Sequence, residues 1–370
     1  MGNALDKITI RGFKSIKSLE DFELKNLNIM IGGNGAGKSN FIDFFRMLRE
    51  MVNLNFAGFI MGRGGADGFM FNGPKTTKNI EAKFKFGVNS YSFKLSPTIS
   101  EIPVFVIAEE EYGYINKQYR IGSGSLESNL ASRKDESSSI YSGYKGVGYY
   151  VHESISNWVV YHFHDTSATA PMRRSEITAD NERLRSDASN IAPFLLELRR
   201  AKPEAYAEIV EAIKLVTPFF DDFILKPKQN GEKEKVNLSW KQKGSDYPMQ
   251  PYHFSDGTIR FICLATALLQ PNLPSTIIID EPELGLHPYA IEILAELIKA
   301  ASQKTQVVVS TQSPALIDNF NPEDIIVVNR ENGASTFKRL DAKELSHWLE
   351  EYSLGELWRK NIVTGGPVRE

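Results

Sequence analysis

Apolar and polar residues alternate along this chain in three distinct ways, and each predicts a different element. Near the N-terminus a short apolar stretch, Ile8–Ile10, is followed by Leu27–Ile31, which runs directly into glycines. Beyond them Phe41, Phe44, Phe45 and Leu48 recur at helical spacing, so strand, loop and helix are expected in that order. Ile80, Ala82, Phe84 and Phe86 alternate with Glu81, Lys83 and Lys85, and Tyr91, Phe93 and Leu95 repeat the pattern. A period of two with one polar face predicts half-buried antiparallel strands. Asn190 is placed to cap a helix that carries Ile191, Phe194, Leu195 and Leu198 on one face. Pro203 opens a second helix, with Tyr206, Ile209, Val210 and Ile213 on its apolar stripe. In the last third, Thr276–Ile279, Val307–Val309 and Ile325–Val328 are unbroken apolar runs, as expected of parallel strands covered on both faces. Ile291, Leu294, Ala295 and Ile298 mark a helix between the first two runs.

Neither helical pattern persists over the heptads that a long coiled coil needs, and no internal repeat is present. Ile121 to Gly148 holds eight serines and five glycines with few apolar anchors, which predicts a mobile surface loop or insertion. The length of 370 residues permits one large domain or two. The organisation expected is a single domain over 1–370. An N-terminal lobe spans 1–120, the insertion 121–150, a helical lobe 151–250 and a closing segment 251–370. At 42% hydrophobic and 24% charged residues the composition is that of an ordinary soluble protein. A net charge of −3 requires any nucleic-acid site to be a local basic patch. The single cysteine, Cys263, excludes an internal disulfide, fits a reducing compartment, and sits in an apolar helix as a core residue. No apolar run approaches the ~20 residues that span a bilayer, and the N-terminus lacks a secretory pattern, so a cytoplasmic location away from membranes is expected.

The chemistry is concentrated in three stretches. Gly32-Gly33-Asn34-Gly35-Ala36-Gly37-Lys38-Ser39 matches the whole P-loop pattern, between an apolar strand and a helix. Glycines let backbone N–H groups turn inward around phosphate oxygens, and the helix N-terminus adds positive potential. Lys38 would bridge the β- and γ-phosphates, and the Ser39 hydroxyl would ligate Mg²⁺. The nucleotide-binding set is therefore Gly32, Asn34, Gly35, Ala36, Gly37, Lys38, Ser39 and Asn40. The second stretch, Thr276 to Glu281, is an apolar strand that ends in two carboxylates. It would deliver them to the edge of a parallel sheet where ligands bind. Asp280 would hold the Mg²⁺ shell, and Glu281 would orient or deprotonate the attacking water. Third, Phe254-Ser255-Asp256-Gly257-Thr258 opens an apolar helix and forms another anion-binding turn. A P-loop already fills its own phosphates, so Ser255, Asp256 and Gly257 point to a γ-phosphate supplied by another subunit.

In this order these residues resemble the ABC ATPase superfamily, and within it the RecF-like and SMC-like group. Ile8 to Ile16 is similar to that group's N-terminal strand. Glu281-Pro282-Glu283-Leu284-Gly285-Leu286-His287-Pro288 resembles the stretch found in overcoming-lysogenization-defect-type ATPases, and Ser310-Thr311-Gln312-Ser313-Pro314 their switch segment. The likeness covers both ends of the chain well and residues 100–250 loosely. It implies an α/β fold: an ABC-ATPase head with a mostly parallel P-loop core sheet, an antiparallel β subdomain and a helical lobe. It also implies ATP and Mg²⁺ as cofactors and a head-to-tail homodimer, in which Ser255 and Gly257 of one copy complete the P-loop site of the other. Lys38, Glu281 and Gln312 take the catalytic roles.

Three departures qualify the resemblance. Gln312 stands where the switch usually carries histidine; it can hydrogen-bond phosphate but cannot become a cation, which implies slow hydrolysis. His287 stands near where many relatives place an aspartate, and reads either as a dimer contact or as an ordinary helix-start residue before Pro288. The glutamine loop is not evident. Tyr161 to Thr166 could replace it, with His164 or Asp165 sensing Mg²⁺, or else His162 and His164 simply sit at a strand edge. No metal-ligand spacing supports a zinc site there.

Two basic clusters are local enough to meet a phosphate backbone. Lys226, Lys228, Lys233, Lys235, Lys241 and Lys243 surround Asn230-Gly231, an expected hairpin turn, and Arg173, Arg174, Arg183 and Arg185 form the second group. Both are diluted by acids and lack interleaved aromatic residues, so solvated faces are the alternative to a DNA contact. The roughly sixty residues after Gln312 hold no acid cluster suited to two-metal nuclease chemistry. The function expected is therefore an ATP-gated switch or sensor in a bacterial antiphage or DNA-processing system, its effector (a nuclease or toxin) carried by a partner chain. One rival is a transporter's nucleotide-binding subunit, although Lys38 and Ser255 lie 217 positions apart, farther than in such subunits. The other is a non-hydrolysing ATP-dependent scaffold, motivated by Gln312.

Overall fold

The computed structural model of the chain describes residues 4–138 and 142–363. These form two compact units, one of Met1–Val160, Pro274–Ile278 and Asn321–Glu370, the other of Tyr161–Leu273 and Ile279–Phe320.

The first unit is built on the alternating stretches. Strands β1 (Lys7–Phe13), β2 (Ile16–Glu23), β4 (Ile80–Phe86), β5 (Asn89–Pro97), β6 (Phe105–Tyr114) and β7 (Lys117–Gly122) form an antiparallel sheet in the order β2-β1-β4-β5-β6-β7. Register follows the pattern of apolar positions, with Ile8 opposite Phe84 and Ile10 opposite Ala82, so apolar residues share one face. Strand β3 (Leu27–Ile31) is buried at every position and leads through the glycines into helix α1 (Lys38–Val52). The aromatic stripe of α1 covers the apolar face of the sheet. The Phe44 ring lies 5.1 Å from Phe13 and stacks at 6.0 Å on Phe84, while Phe45 meets Trp158 at 5.0 Å. Strand β3 runs parallel to Ile325–Glu331, with Ile29 opposite Ile325, and that strand folds back antiparallel on Ala334–Arg339.

Inside this sheet sits a buried carboxylate. Glu110 on β6 accepts from the Tyr91 hydroxyl at 2.7 Å, from Ser128 and from the Asn129 backbone N–H at 2.8 Å. It thereby anchors part of the serine- and glycine-rich segment, where Leu130 is fully buried and a helix, Val147–Ser156, begins. The expectation of a mobile loop for residues 139–141 lies outside the described residues. Burial beside this carboxyl pushes the Tyr91 phenol well above its usual range. Tyr91→Phe leaves Glu110 one donor short and is expected to cost about 1–3 kcal/mol, read as a lowered Tm.

The second unit contains the two expected helices, Ile191–Ala201 and Pro203–Val216, together with Asp256–Leu269 and Pro288–Ser302. Pro203 occupies the first turn of its helix. Asn190 stands at the cap position, but its side chain does not cap the helix. Instead its Oδ1 accepts from the Arg185 N–H at 2.9 Å, and its amide donates to the Asp180 and Arg183 carbonyl oxygens. The loop needed those bonds more than the helix did. The pairing of Asn230 with Lys233 around Gly231 makes the expected hairpin. Strand Thr276–Asp280 passes from the first unit into the second, and strand Gln306–Thr311 is buried throughout. Cys263 is fully buried, with Sγ 3.6 Å from Met172 Sδ, and burial pushes its thiol pKa far up, so it is a core residue.

Candidate functional site

The P-loop is shaped within the first unit. Gly37, at φ 118°, adopts a backbone that other residues rarely take, and a side chain there would collide with the Ser335 hydroxyl. That hydroxyl donates to the Ala36 carbonyl at 2.5 Å and lies 2.7 Å from Ser15 Oγ. The Asn40 amide donates to the same Ser15 oxygen at 2.8 Å. Lys38 is almost wholly buried, and its ammonium donates to the carbonyl oxygens of Gly32 at 2.6 Å and Gly33 at 3.3 Å. A lysine folded onto its own loop in this way is a cation already desolvated beside the backbone cradle. Asn34, Gly35 and Ser39 are exposed.

The second unit gathers the carboxylates around the switch segment. Asp280 Oδ1 accepts from the Ser310 hydroxyl at 2.8 Å, and its carbonyl oxygen lies 2.8 Å from His164 Nε2. A carbonyl can only accept, so the His164 proton is on Nε2. Glu281 follows with φ 45°, a left-handed conformation uncommon outside glycine and asparagine. Its N–H donates to the Ser310 carbonyl at 2.8 Å, which helps to hold that conformation. Gln312 Nε2 donates to Glu281 Oε1. Sequence reasoning paired both residues with ATP; the structure also pairs them with each other.

Ser255 caps the helix Asp256–Leu269 by accepting from the Thr258 N–H at 3.1 Å, and both Ser255 and Asp256 are exposed. A side chain on Gly257 would overlap the Gly285 carbonyl oxygen, so this glycine allows the helix start to approach the loop after Glu281. Two arginines fix the turn. Arg173 donates to the carbonyls of Thr166, Pro251 and Phe254 and reaches Asp256 at 3.1 Å. The buried Arg260 donates to the carbonyls of Phe163, His164 and Leu284.

Arg173 therefore corrects the sequence reading that placed it in a basic surface group. It is an internal brace, available neither to DNA nor as a solvated face. Lys241 and Arg185 also have carboxylate partners, Asp221 at 3.0 Å and Asp180 at 2.8 Å. His287 caps the helix Pro288–Ser302, its Nδ1 accepting from the Tyr289 N–H at 3.3 Å, as the helix-start alternative required. Among the described residues no cluster of three or more His, Cys, Asp or Glu side chains is set to hold a metal ion, and no helix is long and apolar enough to cross a membrane.

Sequence reasoning assigned no role to Arg260, Ser335 or the side chain of Glu283, which meets the switch segment. Each acts through a backbone carbonyl or a residue distant in sequence, and such partners leave no local pattern.

A protein-family profile described as "AAA domain, putative AbiEii toxin, Type IV TA system" matches residues 27–318. No curated protein matches the sequence. Among solved structures, the SmcHead bound to the C-winged helix domain of ScpA is similar at a TM-score of 0.59 and 15% identity, over 93% of this chain and 99% of that one. The Smc head domain with an extended coiled coil from Pyrococcus furiosus, bound to the C-terminal domain of ScpA, gives 0.55 and 16% over 94% and 99%. The α/β fold is thus that of an SMC-type ATPase head, and the profile spans the P-loop, the carboxylate-tipped strand and the switch. The chain belongs to this AAA-domain family of ATP-binding ATPases.

Proposed function

We propose that the protein binds ATP with Mg²⁺, hydrolyses it slowly, and closes as a homodimer around two nucleotides. It would serve as the switch or sensor of a bacterial antiphage or DNA-processing system in the cytoplasm, with a nuclease or toxin supplied by a partner chain. DNA is a further candidate partner. The family's description names a toxin, which supports a harmful output. The similar Smc heads were solved bound to a second protein, which supports a partner in trans.

The observation that carries the reading is the Glu281 carboxylate, held at a strand end by the switch amide of Gln312, next to an Asp280 carboxylate oriented by Ser310. The donor set fits the cofactors. The buried Lys38 ammonium suits phosphate, and the Ser39 hydroxyl and Asp280 carboxylate are the oxygen ligands that a hard cation takes. When bound, Mg²⁺ would neutralise phosphate charge. Lys38 would exchange its loop carbonyls for phosphate oxygens. Glu281 would accept a proton from water, with Gln312 setting the carboxylate's orientation. The exposed Ser255 turn, braced by Arg173, would donate to the γ-phosphate held by the other copy.

A non-hydrolysing scaffold remains a second reading, favoured by the Gln312 amide, which occupies the Glu281 oxygen that would face the water. Ser255→Arg tests the sandwich. ATP-dependent pairing on gel filtration should disappear and turnover fall at least about tenfold, with ATP still bound by single copies. Unchanged pairing would refute the sandwich.

A further inference from the structure

Glu283 lies two residues beyond Glu281 and is 8% exposed. Its Oε1 accepts from the Thr311 hydroxyl at 2.6 Å and from the Gln312 backbone N–H at 3.1 Å. Its Oε2 is buried with no partner. A carboxyl group with one unpaired buried oxygen is a costly way to stabilise a fold, because each such atom forfeits its solvation. Burial raises its pKa, and the nearby Glu281 carboxylate adds to the rise. A residue that is expensive in itself and sits against the proposed hydrolytic pair calls for a reason beyond packing.

The reason is where the two donors lie. The strand Gln306–Thr311 ends just before Gln312, and Ser313 caps the next short helix, Pro314–Ile317. Gln312 and the cap residue Ser313 are thus all that separates the two elements, and the Gln312 backbone N–H goes to Glu283. Ser313 in turn donates its N–H to the Thr311 hydroxyl at 3.0 Å, and that hydroxyl donates to Glu283. One carboxylate oxygen therefore governs the backbone on both sides of the Gln312 side chain. Besides the Gln312 side-chain amide on Glu281, the ties from Ser310 to Asp280 and from Glu281 N–H to Ser310 join the loop to the switch, and these two lie upstream of the Gln312 backbone.

We propose that Glu283 is the positioning residue of the hydrolytic centre: its buried carboxylate fixes the backbone at Thr311 and Gln312, so that the Gln312 amide reaches Glu281. This rests on the reading of Glu281 and Gln312 as the hydrolytic pair. A misplacement of about 1 Å in such a group can cost about 10²-fold in rate.

The test compares Glu283→Gln, which keeps one carbonyl oxygen for both donors, with Glu283→Met, which keeps the volume and removes the acceptor. Glu283→Gln should turn over ATP within about threefold of the parent. Glu283→Met should lose about 10- to 100-fold in kcat, with KM for ATP shifting less than about threefold, because the P-loop is untouched. Hydrogen exchange at the Gln312 amide should quicken in Glu283→Met and not in Glu283→Gln. If Glu283→Met does not fold, Thr311→Val removes half the tie and should show the same split in weaker form. Unchanged exchange in Glu283→Met, or faster exchange with full kcat, overturns the proposal. A parent protein with no turnover would instead sink the hydrolysis reading, while exchange at Gln312 would still decide whether Glu283 holds the switch.

Discussion

Glu281→Gln should lower phosphate release by about 10²-fold or more while leaving ATP binding intact, and it should make an ATP-loaded dimer accumulate on gel filtration. The substitution is nearly isosteric, and Glu281 N–H can still donate to the Ser310 carbonyl, so the left-handed backbone at this position is preserved. What is lost is the ability to take a proton. The Gln312 amide that now donates to Glu281 Oε1 would still find an oxygen in the glutamine side chain, provided the amide is turned the right way. Loss of rate without loss of structure is therefore the expected outcome, and melting temperature should move little. Phosphate release equal to the parent's would favour the scaffold reading. A dimer that forms equally without ATP would remove nucleotide as the switch.

Lys38→Ala should weaken ATP binding by at least about 10²-fold, equivalent to about 3 kcal/mol, and abolish measurable turnover. Lys38 is a buried cation satisfied by the loop's own carbonyl oxygens, so its removal leaves the Gly32 and Gly33 carbonyls without that donor as well as the phosphates without their counter-charge. Binding of a fluorescent ATP analogue, titrated against the parent protein, reads the effect directly. The two substitutions are expected to separate cleanly: Lys38→Ala prevents pairing because no nucleotide arrives, whereas Glu281→Gln traps it. If Lys38→Ala retained parental affinity, the glycine loop would not be the nucleotide cradle.

Much of this was legible in the sequence because periodicity and motif spacing are local properties. The alternation from Ile80 to Leu95 gave strands with the expected faces, and the stripe of Phe41, Phe44 and Phe45 packed where helical spacing put it. The α/β class and the likeness to SMC heads followed from the order of the motifs. What stayed hidden depends on residues that meet only after folding. Arg173 reads as one of four surface arginines, yet it spends its donors on three backbone carbonyls and Asp256. Asn190 has the right residue type for a cap, but the loop before it competed for the same side chain and won. Glu283 was visible as a letter in a familiar stretch, and its role appears only once Thr311 and Gln312 stand beside it.

The hydroxyl of Ser335 joins Ala36 to a residue 299 positions later, and Ser15 lies on the same oxygen. In a chain made from its N-terminus the glycine turn emerges 299 positions ahead of the hydroxyl that braces it, so this contact is among the late ones to close.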